Sequence, residues 1–178
     1  MRSNTHLLAL NGVIAAAYAA LTLVASAMNL AYGPVQFRFS EALTVLPFLF
    51  PGTAPGLFVG CLVANLLSPY GPLDIVIGSL ATLLGALLTQ KTNHRWLAPL
   101  PPVLCNMVLV GGMLAWYEVG FTAGFPAVFV LNALWVGLGQ AAVCYLLGGL
   151  LLKGMPNLPY FRRMIPERRG GAKPAAVK

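Results

Sequence analysis

The chain has 178 residues, of which 58% are hydrophobic and only 8% are charged, and its formal net charge is +7. A water-soluble domain needs far more polar surface than this, so the composition predicts a protein that lies in a lipid bilayer. Six basic residues lie in the last seventeen residues, after the last apolar stretch, which is typical of a cytoplasmic tail and makes nucleic-acid binding a poor alternative. They are Arg162, Arg163, Arg168, Arg169, Lys173 and Lys178.

The first predicted helix, residues 7–30, is uncharged and long enough to cross a membrane, which takes about 20 residues. Gly12, Ala16 and Ala20 recur every four residues along it. Such a stripe of small side chains lets another helix approach closely. The approaching helix is either a neighbour within the same bundle or a separate membrane subunit, and the spacing does not distinguish the two.

Between Glu41 and Asp74 lie 32 residues without a charge, interrupted by prolines and a glycine. Two full crossings with a turn need about 40 residues, so we predict two short helices, 38–50 and 54–68. Short segments interrupted by proline and glycine indicate the binding site in many transporters. Because positions i and i+3 share a helical face, Arg38 and Glu41 are predicted to lie side by side, with Arg38 orienting Glu41.

Three longer helices are predicted at 74–90, 97–116 and 126–152, with a short basic loop at 91–96. With six crossings, both termini, this loop and the basic tail share one side, which the excess of Lys and Arg marks as the cytoplasm. The predicted fold is therefore all-α, a six-helix transmembrane bundle over residues 1–152. A flexible basic cytoplasmic tail is predicted over residues 153–178.

In this topology the acids Glu41, Asp74 and Glu118 all lie at the outer ends of helices. We predict a substrate-binding pocket there, because carboxylates accept N–H groups, amides hydrogen-bond ring edges and aromatic rings stack on flat solutes. A flat, nitrogen-rich, cationic solute fits such a pocket best. The predicted pocket residues are Arg38, Glu41, Asn65, Asp74, Trp116, Glu118, Asn132 and Trp135.

Structural roles are alternatives for several of these residues. Asp74 suits a helix N-terminus on its own, Trp116 suits the aromatic belt of a membrane protein, and Arg38 with Glu41 suits an interfacial ion pair. The three cysteines are scattered in apolar stretches and predict neither a disulfide nor a metal site. Enzyme and phosphate-binding motifs are absent from the sequence. No metal or cofactor is expected, and uphill transport would need an energising partner or an ion gradient.

Three stretches resemble the QueT family, whose members are substrate-binding S components of energy-coupling factor (ECF) vitamin transporters. They are residues 32–47 (YGPVQFRFSEALTVLP), residues 56–65 (GLFVGCLVAN), and Asp74 with residues 78–84 (GSLATLL). The resemblance covers about residues 7–152 and is most specific in the block QFRFSE.

The resemblance implies a six-helix protein of the cell membrane that captures a queuosine precursor, a 7-deazaguanine such as preQ1. It also implies that a transmembrane T component and two cytoplasmic ATPases are partners, with Gly12, Ala16 and Ala20 facing the T component. Two alternatives remain at this point. One is an S component for another vitamin or nucleobase, and the other is a small integral-membrane enzyme that modifies lipids.

Overall fold

The computed structural model describes residues 4–32 and 36–169, and all regular secondary structure in this part of the chain is helical. In chain order the elements are α1 (Asn4–Ala27), a 3-10 helix (Phe39–Val45), α2 (Leu46–Leu49), α3 (Ala54–Asn65), α4 (Pro72–Thr89), α5 (Leu100–Val119), α6 (Phe125–Ala142), a π-helical turn (Val143–Leu147), α7 (Gly148–Gly154), a 3-10 turn (Met155–Asn157), α8 (Pro159–Arg162) and a last 3-10 turn (Glu167–Arg169).

Four helical stretches are long and apolar enough to cross a membrane, namely Thr5–Ala27, Pro72–Thr89, Leu100–Val119 and the continuous run Phe125–Asn157. Two apolar helical stretches are shorter, Phe39–Leu49 and Ala54–Asn65, and they correspond to the predicted short helices 38–50 and 54–68. Prolines stand in the first turn of α3, α4, α5 and α6. Proline is tolerated there because the first N–H groups of a helix have no partner within it.

The predicted short helix that begins at Arg38 differs from the observed one. Arg38 is extended, with φ −88° and ψ 108°, and the seven residues that follow form a 3-10 helix. Pro47 has no N–H to donate to the carbonyl of Leu43, so the N–H of Leu46 donates to it instead, which tightens this turn. Arg38 and Glu41 therefore do not share an α-helical face.

The helices pack in chain order, α1 on α3, α3 on α4, α4 on α5 and α5 on α6. The 3-10 helix lies inside this arrangement and contacts α1, α4 and α7. Gly56 and Gly60 bring α3 against α1, because a Cβ on Gly60 would come within 2.7 Å of the Ala15 carbonyl oxygen and 2.8 Å of the Tyr18 Cβ. Close packing of two helices through glycine is common in membranes.

Part of the segment after α7 packs against the bundle as far as it is described. The flexible basic tail over residues 153–178 stays a prediction. Ile165 is 3% exposed, and the ring of Phe161 lies 5.8 Å from that of Phe50. These apolar side chains alternate with the basic ones and give the segment a surface to bury. Residues 170–178, with the predicted tail bases Lys173 and Lys178, lie outside the described residues.

Arg169 ends the described segment and holds it to two helix ends. Its guanidinium donates to the carbonyl oxygens of Phe48, at the end of α2, and of Gln90, just after α4. It also lies 4.8 Å from the centre of the Phe48 ring. The last carbonyls of a helix have no partner within it, and a cation is well placed there.

Candidate functional site

Two buried polar clusters meet inside the bundle near the end where α4 begins and α5 finishes. We call this the acidic end, since it carries Asp74 and Glu118. The opposite end, with Lys91, Arg95 and Lys153, is the basic end.

The first cluster is an ion pair between Arg38 and Asp74, with 3.1 Å between Nη2 and Oδ2. Arg38 is 5% exposed and Asp74 is fully buried. The remaining guanidinium nitrogens donate to the Asn65 side chain at 3.2 Å and to the Ala31 carbonyl at 3.1 Å. Buried charges are tolerated only when they are paired and hydrogen-bonded in this way.

Two residues that precede Asp74 in the chain hold it in place. Ser68 Oγ donates to Oδ2 at 2.6 Å, and Asn65 Nδ2 donates to the Asp74 backbone carbonyl at 2.9 Å. The turn that returns Ser68 to Asp74 contains Gly71 at φ +63°, a conformation that side chains disfavour. Gly78 leaves room for the carboxylate, because a Cβ there would lie 2.5 Å from Asp74 Oδ1.

The predicted pairing of Arg38 with Glu41 is therefore wrong. Because Arg38 is extended, it reaches across to α3 and α4 and meets Asn65 and Asp74. The predicted gathering of Arg38, Asn65 and Asp74 at one end of the bundle agrees with the structure. What the i to i+3 spacing could not supply was the backbone conformation at Arg38.

The second cluster surrounds Glu41, which is 3% exposed. Tyr18 Oη donates to Oε1, and Gln140 Nε2 donates to Oε2 at 2.8 Å. The backbone carbonyl of Glu41 accepts from Thr44 Oγ1 at 2.6 Å and from Cys144 Sγ at 3.3 Å. Both side-chain partners that the structure gives Glu41 among the described residues are neutral, so its carboxylate is held by dipoles without a cation beside it.

Two polar atoms of the acidic end are buried and have no hydrogen-bond partner among the described residues, Asp74 Oδ1 and Gln36 Nε2. One is an acceptor and the other a donor. Gln36 packs closely on α6, where a Cβ on Gly139 would collide with the Gln36 carbonyl oxygen. An unpartnered buried polar atom is costly, and a bound polar solute is one way to satisfy it.

Glu118 and Asn132 meet outside these two clusters, where Asn132 Nδ2 donates to Glu118 Oε1 at 3.1 Å and links α5 to α6. Glu118 is exposed, whereas Asn132 is 6% exposed. Tyr70, in the turn before α4, stacks edge to face on Tyr117 at 5.5 Å. Burial, followed by the nearby Asp74 and Glu118, raises the pKa of the Tyr70 phenol.

Trp116 and Trp135, the predicted stacking residues, are 41% and 43% exposed. Both side chains are therefore far more exposed than the charged residues of the two buried clusters. The small residues Gly12, Ala16 and Ala20 are likewise exposed on α1. A Cβ built on Gly12 would meet nothing within 4 Å, so this stripe is not the face of α1 that packs on α3.

Several residues of the site did not enter the predicted set, among them Tyr18, Tyr32, Gln36, Ser68 and Gln140. Tyr18 and Gln140 lie 23 and 99 residues from Glu41 in the chain, and no local pattern joins them. Tyr32 stands at the start of the block that contains Arg38, and its ring centre lies 4.9 Å from the Arg38 guanidinium. A polar side chain on an apolar helix, as Gln140 is, was the available signal for that residue.

No group of three or more His, Cys, Asp or Glu side chains that could hold a metal ion occurs among the described residues. The site consists of two buried carboxylates, one guanidinium group, and several amide and hydroxyl groups. Such groups recognise hydrogen-bonding and cationic solutes without covalent chemistry.

A family model described as the QueT transporter matches residues 8–156. The chain belongs to the QueT transporter family. It therefore belongs with transporters and not with the lipid-modifying enzymes that the sequence left as an alternative. A curated relative, the queuosine precursor transporter QueT of Lactococcus lactis subsp. cremoris, is 34% identical over 101 residues, covering 53% of this chain. The match spans 59% of that relative's length. No solved structure matches the chain.

Proposed function

We propose that this QueT transporter family member is the substrate-capture subunit of an ECF-type uptake transporter for a queuosine precursor. The solute is a 7-deazaguanine, and 7-aminomethyl-7-deazaguanine (preQ1) is the best candidate. The name of the Lactococcus relative supports the class of solute. The chemistry of the two buried clusters supports a flat cation with several N–H donors.

The surroundings of Glu41 are the main support for a cationic solute. The carboxylate of Glu41 is 3% exposed, is bonded to the neutral side chains of Tyr18 and Gln140, and makes no ion pair with any residue that the structure describes. Burial of a charge without a paired counter-charge is costly. Asp74 differs, because Arg38 already neutralises it. The aminomethyl group of preQ1 is cationic at neutral pH and supplies one positive charge, so Glu41 is the acceptor that gains most from it.

The deazaguanine ring is the second half of this recognition. Its pyrimidine edge offers N–H donors and a carbonyl acceptor. The unpartnered atoms at the acidic end, Asp74 Oδ1 and Gln36 Nε2, are an acceptor and a donor that such an edge can satisfy. At the mouth of the site, Asn132 is proposed to fix an edge of the solute ring, and Trp116 or Trp135 is proposed to stack on its face. Glu118 accepts a hydrogen bond from Asn132 and is proposed to lie in the same part of the site.

The membrane arrangement belongs to the same proposal. Six crossings, with the short stretches Phe39–Leu49 and Ala54–Asn65 as two of them, place both termini and the basic end in the cytoplasm of a multi-pass cell-membrane protein. The acidic end then faces outward, where the solute enters.

A T component and two cytoplasmic ATPases are the proposed partners. The sequence has no phosphate-binding loop, so ATP hydrolysis has to come from another chain. The exposed stripe Gly12, Ala16 and Ala20 offers a membrane helix a surface of close approach. Release of the solute follows when the whole subunit tilts as the partners hydrolyse ATP.

The test compares two 7-deazaguanines on purified protein, preQ1 with its cationic aminomethyl group and the 7-cyano analogue, which is neutral. Glu41→Gln keeps the size of the side chain and removes its charge. Since a charged hydrogen bond contributes about 1.5–3 kcal/mol, we expect the variant to bind preQ1 about 10- to 100-fold more weakly. Affinity for the cyano analogue should change much less. Isothermal titration calorimetry gives both dissociation constants.

Glu167→Gln is the matched control, because it makes the same chemical change in an exposed acid outside the proposed site. It is expected to leave preQ1 affinity unchanged. Equal preQ1 binding by Glu41→Gln and the unaltered protein contradicts the role of Glu41. Displacement of preQ1 by thiamine or riboflavin contradicts the proposed solute and leaves the transporter class intact.

A further inference from the structure

The basic end contains a cavity of about 410 Å³ between the loop before α5 and the segment from the π-helical turn into α7. Arg95, Trp96 and Pro99 form one wall, and Tyr145, Gly149 and Lys153 belong to the other. This volume is typical of small-molecule sites. The cavity lies at the opposite end of α4 from Asp74, so the solute site does not account for it.

The cavity is amphipathic along its depth. Arg95, in the loop before α5, and Lys153, in the last turn of α7, are exposed cations, and no acidic side chain is among the described residues that line the cavity. Tyr145 precedes Lys153 by eight residues, so it lies about 12 Å deeper at the helical rise of about 1.5 Å per residue. The wall between them is formed by apolar residues such as Leu146 and Leu150. A charged rim above an apolar wall matches the shape of a phospholipid.

The helix that lines the cavity is irregular at this depth. Residues Val143–Leu147 form a π-helical turn between α6 and α7, and such bulges occur frequently at functional sites. The turn contains Tyr145 and Leu146, both of which line the cavity. Tyr145 also lies 6.3 Å from Trp96, ring centre to ring centre. Gly149 leaves the space open, because a Cβ there would meet nothing within 4 Å.

The geometry points to a binding site for an anionic phospholipid, with its phosphate held between Arg95 and Lys153 and an acyl chain against the wall formed by Tyr145, Leu146 and Leu150. Basic pockets at the ends of membrane helices bind anionic headgroups, and each nearby cation favours them by roughly fivefold. Trp96 and Tyr145 suit the headgroup level, where aromatic side chains concentrate. A partner helix is a poorer match, since two cations at the rim favour a negatively charged ligand.

Fluorescence quenching of Trp96 tests the proposal. The protein carries Trp116→Phe and Trp135→Phe, so that Trp96 alone emits, and is placed in phosphatidylcholine nanodiscs with brominated phosphatidylglycerol or brominated phosphatidylcholine. We expect phosphatidylglycerol to quench Trp96 at a mole fraction about 25-fold lower than phosphatidylcholine, since two cations contribute about fivefold each. Equal quenching by the two lipids overturns the proposal.

Three variants in this background separate a site from general attraction to a negative membrane. Arg95→Gln with Lys153→Gln is expected to abolish the preference. Lys91→Gln removes one cation from the loop that contains Arg95. Because Lys91 lines a separate cavity of about 380 Å³, this variant is expected to keep the preference for phosphatidylglycerol. Gly149→Phe fills the cavity and leaves both cations, and is expected to abolish the preference. Its retention in Gly149→Phe, or its loss in Lys91→Gln, contradicts a site in this cavity.

Inorganic phosphate is the last arm of the experiment. A phospholipid bound through its chain as well as its headgroup resists displacement by the free anion at equal concentration. Restoration of Trp96 fluorescence by phosphate alone therefore contradicts a lipid site and indicates a simple anion site.

Discussion

At the scale of single residues, the Arg38–Asp74 pair is costly to disrupt by loss of one partner. Both side chains are at most 5% exposed, and together they engage Ala31, Asn65 and Ser68. Removal of one partner leaves the other charge buried and uncompensated. Removal of both charges leaves neither one uncompensated, and only the hydrogen bonds of Ala31, Asn65 and Ser68 are then lost or changed.

We expect Arg38→Gln or Asp74→Asn alone to lower the free energy of unfolding by about 3–5 kcal/mol. The double variant should lose clearly less than the sum of the two, because no isolated charge remains. Thermal unfolding in detergent measures all three proteins. Additive losses would show that the two charges do not stabilise each other, and Glu118→Gln, at an exposed acid, serves as the control for loss of a carboxylate.

Residue identity was more predictable from the sequence than residue partnership. Arg38, Asn65 and Asp74 stand out because charged and amide groups are rare in apolar helices, and the structure brings these three together. The partners of Glu41 come from α1 and α6. Only the packing of distant helices determines such contacts, so a single sequence does not reveal them.

At the scale of elements, the two faces of α1 have different surroundings. The face with Ala15 and Tyr18 packs on Gly60 of α3, whereas Gly12 lies on a face with nothing within 4 Å of an added Cβ. Tyr18 also donates to Glu41. A displacement of α1 from α3 therefore reaches the proposed solute site.

The matched variants Gly60→Ala and Gly12→Ala test this difference, since each makes the same change within a helix and gains about 1 kcal/mol of helix propensity. Gly60→Ala forces backbone apart and is expected to cost about 1–3 kcal/mol net of unfolding free energy and to weaken preQ1 binding. Gly12→Ala is expected to raise the unfolding free energy by about 1 kcal/mol and to leave preQ1 binding unchanged. Unfolding midpoints measure the stability of each variant, and titration calorimetry measures its affinity for preQ1. A Gly60→Ala protein as stable as the unaltered protein would contradict the close contact between α1 and α3.

Helix positions were well predicted because proline, glycine and charge mark helix ends in an apolar chain. The short helices 38–50 and 54–68 were located to within a few residues of Phe39–Leu49 and Ala54–Asn65. The 3-10 form of the first was missed, because its cause is a single absent donor at Pro47 combined with burial on several sides. The π-helical turn within the last long run was also missed, since one extra residue per turn leaves no mark on an apolar sequence.

At the scale of the whole molecule, the segment 155–169 ties the two halves of the bundle together at the basic end. Arg169 joins the carbonyls at the ends of α2 and α4, and Ile165 belongs to the same apolar core as Phe48 and Leu57. Through the buried side chains of Ile165 and Arg169, the segment contributes to stability although most of its other residues are partly or fully exposed.

We expect Arg169→Gln to loosen this segment, because the side chain loses the charge that satisfies the helix-end carbonyls. Hydrogen exchange of the amides between Leu158 and Ile165 should become faster, while exchange in α5 stays unchanged. Arg163→Gln is the control, since Arg163 is exposed in the same segment. Unaltered exchange in the Arg169 variant would show that apolar burial alone holds the segment.

The neutral surroundings of Glu41 also have an electrical consequence for the loaded protein. Arg38, Glu41 and Asp74 together carry one positive and two negative formal charges, so their sum is −1. The cationic solute proposed above brings this sum to zero. A membrane potential acts with about 2.3 kcal/mol per elementary charge per 100 mV on any charge that moves through it. We therefore expect these three groups to add no voltage dependence to a reorientation of the subunit with preQ1 bound, whereas a neutral analogue leaves their one negative charge for the field to act on.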